Sequence, residues 1–481
     1  MRIYNTFTRS KEEFKPIKEG QVSMYVCGIT TYDYTHLGHA RTFVSFDVIR
    51  RYLIYKGYKV SYVQNVTDID DKIINRAKET GEDPLALSNR FDILSREDLN
   101  SLGILKADAY PRVSENINEI ISLVQRLIEK GFAYKTQTGV YFSVEKFKAY
   151  GKLSHQKLSK IKAGARVEVG ETKKNPADFA LWKITSEDEL GFPSPFGRGR
   201  PGWHIECSAM SLKYHGETFD IHGGAQDLIF PHHENEIAQS ECANGKKFVQ
   251  YWMHVGFLTV NGEKMSKSLG NFITVRDALK KFTPHAIRMF FIQTHYRSPI
   301  DFSEKSVISA QNALTSIYNT LKSARETALS ASNVPDNELE LKISKTYKLF
   351  EDRMDDDFDT PSALAALFRL VSLTNTHISS DNPSAPSLSL AANKIESILK
   401  LFALMPPQKS LPLAPIQKIL ISYGIKQPPN TAEACINQLI EMRNSARKKK
   451  NFELSDKIRA ELAKVGVILE DSGDKTTYKI C

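Results

Sequence analysis

Three groups of residues in this chain of 481 have the types and spacing to do chemistry. The first is His36-Leu37-Gly38-His39, two imidazoles around a glycine, followed by Phe43, Phe46, Ile49 and Leu53 at intervals of three and four. That interval marks a helix, and a helix amino end attracts anions; imidazoles beside it can bond phosphate oxygens whose charge grows during displacement. Gly38 lets backbone approach a bulky ligand. Taken alone, the tetrad also fits two surface or capping histidines. The second group is the loop Asn261–Asn271, NGEKMSKSLGN, in which Lys264 and Lys267 can neutralise a polyphosphate while Ser266 and Ser268 donate hydrogen bonds. As a bare basic loop it fits a solvated turn equally. The third is Cys27, Cys207, His232 and Glu236, two thiols, an imidazole and a carboxylate that suit zinc. His232 and Glu236 stand four apart, as on one face of a helix, and Cys207 falls in the first turns of a helix opened by Trp203, where the dipole favours a thiolate. No CxxC spacing supports the set, so a buried small hydrophobe at Cys27 and a surface residue at His232 fit too, and His222 and His233 are rival ligands. HExxH is absent, which argues against a zinc hydrolase.

Certain elements must position these groups. Val22, Met24 and Val26 alternate with Ser23, Tyr25 and Cys27, the period of a half-buried strand ending at Cys27. A helix to Lys56 and Gly57 and a strand at Tyr58, Val60 and Tyr62 complete a strand-helix-strand unit, hence a parallel pair with a right-handed crossover. Ligands bind outside the carboxyl ends of such strands, where Cys27 and His36 fall. Asp68 or Asp70 caps a helix running to Gly81, another helix spans Ser114 to Lys130, and GVYFSV from Gly139 is a strand. Phe219 to His222 is a strand closed by Gly223 and Gly224, before a helix that Pro231 begins. Past Thr259 the strand signal fades into amphipathic helices, including Ile308 to Leu329 and Pro361 to Val371, with the Ser- and Pro-rich 379–390 read as a linker. VILEDSGDKTTYKI, after Gly466, reads as a hairpin.

The length calls for several domains. Lys and Arg number 65 against 56 Asp and Glu, a net charge of +9 that suits a polyanionic partner. Five scattered cysteines argue against a disulfide framework and for a reducing compartment, and no signal-like or membrane-spanning run is present; the expectation is a cytoplasmic protein with no membrane association. The excess charge concentrates in Arg443–Lys464, with eight basic residues against three acidic. Such a segment suits a phosphate backbone, with Phe452 able to stack on an exposed base and Asp456 to accept from a base edge; a solvated helix with Phe452 in a core is the alternative.

HLGH and KMSKS, in that order on a nucleotide-binding sheet, resemble the two signatures of class I aminoacyl-tRNA synthetases. MYVCGITTYD, TDIDDKI, GRPGWHIECSAM, FDIHGGAQDLIFPHHENEIAQS, YWMHVGF, KMSKSLGNF and DDDFDTP resemble the cysteinyl-tRNA synthetase family specifically. Departures are Leu37, where isoleucine is usual, and Ala225-Gln226 in place of Gly-Ser. The resemblance implies an α/β fold: a Rossmann-like parallel-sheet catalytic domain with an insertion, then an all-α helical bundle and a small C-terminal anticodon-binding domain. The expected divisions are 1–82 and 200–262 for the two catalytic halves, 83–199 for the insertion, 263–305 for the KMSKS loop and stem contacts, 306–405 for the bundle and 406–481 for the last domain.

The same resemblance implies that Cys27, Cys207, His232 and Glu236 hold one zinc ion that binds the substrate thiol. His36, His39, Lys264 and Lys267 would act on ATP, which carries magnesium; Gly38, Gly223, Gly224, Asp227 and Ser268 would line its pocket, and Trp203 the cysteine pocket. Arg447 resembles the family's anticodon-contacting arginine, beside Phe452 and Asp456. The implied activity is ATP-dependent formation of cysteinyl-adenylate and transfer to the terminal adenosine of tRNA(Cys), by a monomer. Ordinary contacts separate near-isosteres such as serine and cysteine by only about 1–3 kcal/mol; a soft metal that prefers thiolate removes the need for an editing domain. A ligase joining cysteine to an aminosugar shares this core but lacks an anticodon module. A silent homologue that binds zinc and RNA is disfavoured by intact HLGH and KMSKS.

Overall fold

Gln21–Thr30 is the central strand of a four-stranded parallel sheet, flanked by Lys59–Thr67 on one side and by Phe219–Ala225, then Val249–Val255, on the other. Its neighbours come from stretches on either side of the antiparallel insertion, so the strand order reverses at this strand and opens a crevice at the carboxyl ends. This is the computed structural model of the chain, and it describes residues 1–156, 172–265, 270–406, 413–472 and 475–480.

The period of two in the central strand is real, but the strand is not half-buried. Met24 and Val26 pack into one core with Phe43, Phe46 and Ile221, whereas Tyr25 and Cys27 pack into a second core with Ile205, Met210 and Trp252. Both faces are covered, as is usual for parallel sheets, so alternation here separates two apolar environments rather than core from water. The helix Leu37–Tyr55 packs on the first face and Trp203–His215 on the second. Each fully buried large apolar side chain contributes about 1.5–3 kcal/mol. Between Val26 and Ile29 the pairing with Lys59–Thr67 slips, a bulge that re-aims the residues just where the crevice begins.

Several elements differ from expectation. The helix expected over 114–130 is Ile117–Glu129, begun late because Ser114 instead bonds Asp68. Pro231 does not begin a helix; Ile229–His233 form a wide turn in which Phe230 is extended, and the regular helix is Glu234–Asn244. Strand structure persists past Thr259: Leu258–Val260 pairs antiparallel with Glu263–Lys264 and parallel with Ile300–Phe302. These strands are of two or three residues, too short for a periodic signal. For the same reason the amino-terminal pair Arg2–Asn5 and Ser10–Glu13 escapes notice. The Ser- and Pro-rich stretch is a helix start: the Ser384 side chain caps Ala385–Leu401, with Pro386 in its first turn.

The insertion forms a four-stranded antiparallel sheet of Ala133–Lys135, Gly139–Phe142, Phe179–Ile184 and Gly199–Pro201. Helices Glu304–Ala328, Asn337–Met354, Thr360–Ile378 and Ala385–Leu401 make a bundle whose apolar seam is continuous with the core that holds Met24 and Phe46. The chain separates into two compact units, Met1–Met405 and Pro406–Cys481. In the second, helices Leu413–Ser422, Ala432–Lys448 and Phe452–Lys464 and the hairpin Val467–Ser472 with Lys475–Ile480 enclose Ile436, Leu439, Ile458, Leu462 and Leu469.

Candidate functional site

A cavity of about 280 Å³ opens at the carboxyl ends of the central strands. It is lined by His36 and His39 of HLGH, by Cys27, Cys207 and His232, and by Trp203 and Asp227. Residues separated by more than 200 positions therefore share one wall-to-wall space.

His36 is the cap of the helix Leu37–Tyr55: its Nδ1 accepts from the amides of Gly38 (3.1 Å) and His39 (3.3 Å). The capping and ligand-binding readings of HLGH are thus compatible, because Nδ1 used as acceptor places the proton of the neutral ring on Nε2. The two rings stack with centroids 3.6 Å apart. Burial, reinforced by His36, holds His39 well below the ordinary histidine value, so it is neutral. A side chain on Gly38 would press on the His36 ring and meet Met265 of the lysine loop at 3.5 Å.

The four expected metal donors come together from four elements. Cys27 is the first residue past the regular pairing of the central strand, which runs on to Thr30 rather than ending at Cys27; Cys207 lies in Trp203–His215, His232 in the wide turn and Glu236 in the helix after it. Their ligand atoms all lie within 4.8 Å of one another; Cys27 Sγ is 3.7 Å from both Cys207 Sγ and Glu236 Oε1, and His232 Nε2 is 3.1 Å from Glu236 Oε1. A second set, Cys27, His222, His233 and Glu236, meets the same distance limit, with His233 Nε2 3.2 Å from Cys27 Sγ. The cavity separates the two sets. Both sets are buried, but Cys27, Cys207 and His232 of the first line the cavity, whereas of the second only the shared Cys27 does. The first set therefore puts three of its four members on the cavity wall and the second puts one there. His222 Nε2 bonds the other Glu236 oxygen at 2.8 Å, and His233 Nδ1 bonds His254 at 2.8 Å, which in turn bonds Thr6; these rings orient the donors from behind.

The electrostatics fit a cation. Burial opposes ionisation of Glu236, yet His222 and His232 hold it at about 2. Burial works against the Cys207 thiolate too, but the bond from Cys27 and then His232 bring it down to about 6. Burial disfavours charge on His232, and Glu236 followed by Cys207 raises it to about 10. A pocket of soft and anionic donors that concentrates positive charge on its histidine is one in which a dication can replace the proton.

Other expected residues lie elsewhere or outside view. Gly223 and Gly224 do not line the cavity: a side chain on Gly223 would overlap the Phe46 ring, and one on Gly224 would meet Leu228 at 2.8 Å and His233 at 3.0 Å. Their place in the fold is close packing of the HLGH helix and of the wide turn against the sheet. Lys267 and Ser268 fall outside the described residues; Lys264 is described in its backbone only, in the strand Glu263–Lys264. Asp70 caps Asp71–Thr80, as expected, and Asp68 ties to Ser114. Lys72, Asn65 and Thr67 line the cavity and were missed. The TDIDDKI block carried the signal, since it starts at the end of the strand Lys59–Thr67, where a parallel sheet binds ligands.

In the second unit Arg447 and Asp456 are exposed and Phe452 is 60% exposed, so Phe452 is not a core residue. Arg447 Nη1 stands 3.3 Å from Asp471, whose carboxylate is also gripped by Arg443 at 2.7 and 2.8 Å. No helix among the described residues is long and apolar enough to cross a membrane.

Residues 13–312 match the family described as tRNA synthetases class I (C) catalytic domain, 349–405 the DALR domain and 432–478 the cysteinyl-tRNA ligase anticodon binding domain. The fold is similar to that of Mycobacterium tuberculosis methionyl-tRNA synthetase bound by methionyl-adenylate, with a TM-score of 0.62 at 14% identity, covering 86% of this chain and 98% of that one. The fold and its motifs are those of a class I aminoacyl-tRNA synthetase. The chain is 52% identical over 486 residues to the cysteine–tRNA ligase of Thermococcus gammatolerans, covering 100% of this chain and 99% of that one. It is 51% identical over 485 residues to the cysteine–tRNA ligase of Thermococcus onnurineus, with coverage of 100% and 99%. It belongs to the cysteine–tRNA ligase family.

Proposed function

We infer that the chain activates L-cysteine with ATP and transfers it to the terminal adenosine of tRNA(Cys), releasing AMP and diphosphate. The observation that carries this reading is the single cavity shared by the HLGH histidines and by Cys27, Cys207 and His232. It brings a phosphate-binding helix start and a sulfur-selective donor set within reach of one small substrate.

Cys27, Cys207, His232 and Glu236 would hold one zinc ion, whose preference for thiolate over hydroxyl separates cysteine from serine. The chain's own groups do the rest. Trp203, its ring 4.4 Å from the His232 ring, closes one side of the amino-acid pocket. The cysteine carboxylate attacks the α-phosphorus of ATP and pyrophosphate leaves; His36, through Nε2–H, and the lysines of the loop, Lys264 and Lys267, stabilise the phosphate charge that develops. Neutral His39 bonds phosphate without repelling Lys72. Asp227, on the cavity wall, serves the adenosine. Magnesium accompanies ATP as part of the substrate. In the second step the 2′-hydroxyl of the terminal adenosine attacks the adenylate carbonyl and AMP departs.

The second unit reads the anticodon, with exposed Phe452 stacking on a base and Arg447 and Asp456 bonding beside it. The buried free thiols of Cys27, Cys207, Cys242 and Cys435 support a reducing, cytoplasmic setting, and the enzyme acts as a monomer. Purified protein incubated with ATP, radiolabelled cysteine and either tRNA(Cys) or an aminosugar acceptor should cysteinylate only the tRNA, and labelled serine should give none. Cysteinylation of the aminosugar, or serine charging at a comparable rate, would overturn the reading.

A further inference from the structure

Arg41 lies two residues beyond the HLGH tetrad, is 1% exposed, and among the described residues has no carboxylate partner. A buried cation without a counter-ion is expensive, and burial alone brings this guanidinium down to about 10, still charged at neutral pH. What surrounds it is a set of backbone carbonyls from two separate turns. Nη1 donates to Gly256 at 2.8 Å and Phe257 at 2.6 Å; Nη2 donates to Ser298 and, at 3.5 Å, to His295.

Those two turns lead directly into the small sheet from which the lysine loop leaves. Gly256 and Phe257 precede Leu258–Val260, Ser298 precedes Ile300–Phe302, and the two strands pair from Leu258 opposite Ile300. The turns approach each other closely: the Gly256 amide donates to Tyr296 at 2.8 Å, and a side chain on Gly256 would meet Ser298 O at 2.6 Å and Arg297 O at 2.7 Å. The far root of the loop is also fastened to the HLGH helix. Leu37 N donates to Ile273 O at 3.1 Å and Val275 N to Thr35 O at 2.8 Å. Both ends of the loop are thus referred to one helix, one by backbone pairing and the other by the guanidinium fork.

We propose that Arg41 is a positioning residue for adenylate formation, clamping the root of the lysine loop at a set distance from the HLGH histidines. The proposal rests on the reading that this loop serves ATP. A planar fork can serve carbonyls on two turns at once; an ammonium on a flexible stem reaches one turn and leaves the other unpaired. Charge at residue 41 is therefore insufficient, and Arg41→Lys should not rescue. The spacing between the roots of the loop and the HLGH helix is lost, whereas Cys27, Cys207, His232 and Glu236 lie on other elements.

The test is cysteine-dependent pyrophosphate exchange by the full-length, metal-loaded protein carrying Arg41→Lys, Arg41→Met or Gly256→Ala. The last variant pushes the same turns apart from the opposite side and serves if the Arg41 variants fail to fold. The expected result is a fall in kcat of about 100-fold, the scale of a 1 Å misplacement, with the cysteine dissociation constant and metal content within twofold of the unaltered protein. Each change is then combined with Lys267→Ala. A residue acting through the loop loses most of its effect once the loop lysine is gone. Multiplying effects in the double variant, or a parallel loss of cysteine affinity and metal, would overturn the proposal and leave the loop reading standing. Unchanged exchange in Lys267→Ala alone would overturn the loop reading and this one with it.

Discussion

Gly28→Ala tests how closely the central strand governs the metal donors. Gly28 follows Cys27 inside the bulge, its amide bonded to Asn65 Oδ1 at 2.8 Å. A methyl there would stand 2.7 Å from the Asn65 carbonyl carbon and closer still to its oxygen. Carbon atoms rest at about 3.5–4.0 Å, so one strand must give by on the order of 1 Å. The obstacle is backbone, not a side chain that can swing away. Metal–ligand distances tolerate only about 0.2 Å, and Cys27 is the adjacent residue, so its thiol leaves the common radius shared with Cys207, His232 and Glu236. Metal affinity, read by competition with a chromogenic chelator, should fall by at least about 10-fold, and cysteine-dependent pyrophosphate exchange by about 100-fold. The urea midpoint should shift by the equivalent of only about 1–3 kcal/mol, the ordinary cost of overpacking, because most of the sheet is undisturbed. Metal affinity and exchange both unchanged in a folded Gly28→Ala protein would refute the reasoning that the bulge sets the position of Cys27.

Phe452→Ala should raise KM for tRNA by the roughly 1–3 kcal/mol of one base–aromatic stack, seen in aminoacylation assays, while pyrophosphate exchange without tRNA stays put; an equal loss of both would make Phe452 structural. Arg288 is fully buried and joins Asp47 of the HLGH helix at 2.6 Å, with further bonds to the carbonyls of Leu102 and Phe402 at 3.1 Å. Arg288→Met leaves those acceptors and one side of the carboxylate unpaired, and should destabilise the protein by about 3–5 kcal/mol in urea unfolding; a change below 1 kcal/mol would show that Arg51, at 2.8 Å from the same carboxylate, suffices.

HLGH at a helix start, the crossover between parallel strands, amphipathic helices past Thr259 and the terminal hairpin were all legible from local patterns, because period, caps and turn residues act over a few neighbours. Asp70 capping Asp71–Thr80 is such a case. Short strands such as Leu258–Val260 and Ile300–Phe302 were not, since three residues carry no periodicity and their pairing partner lies about 40 positions away.

The ligand chemistry was present in the residue types: Cys27, Cys207, His232 and Glu236 offered sulfur, nitrogen and oxygen to a soft cation. Which of His222, His232 and His233 faces a substrate is a matter of tertiary structure, because all three are buried around Glu236 and only the cavity wall tells them apart. The same holds for Gly223, whose neighbour Phe46 lies on a helix nearly 180 positions earlier, and for Arg41, whose acceptors are carbonyls that every residue possesses. Local order is written in neighbouring side chains, but the direction a side chain takes, and what fills the space beyond it, is set by segments the chain brings together only when it folds.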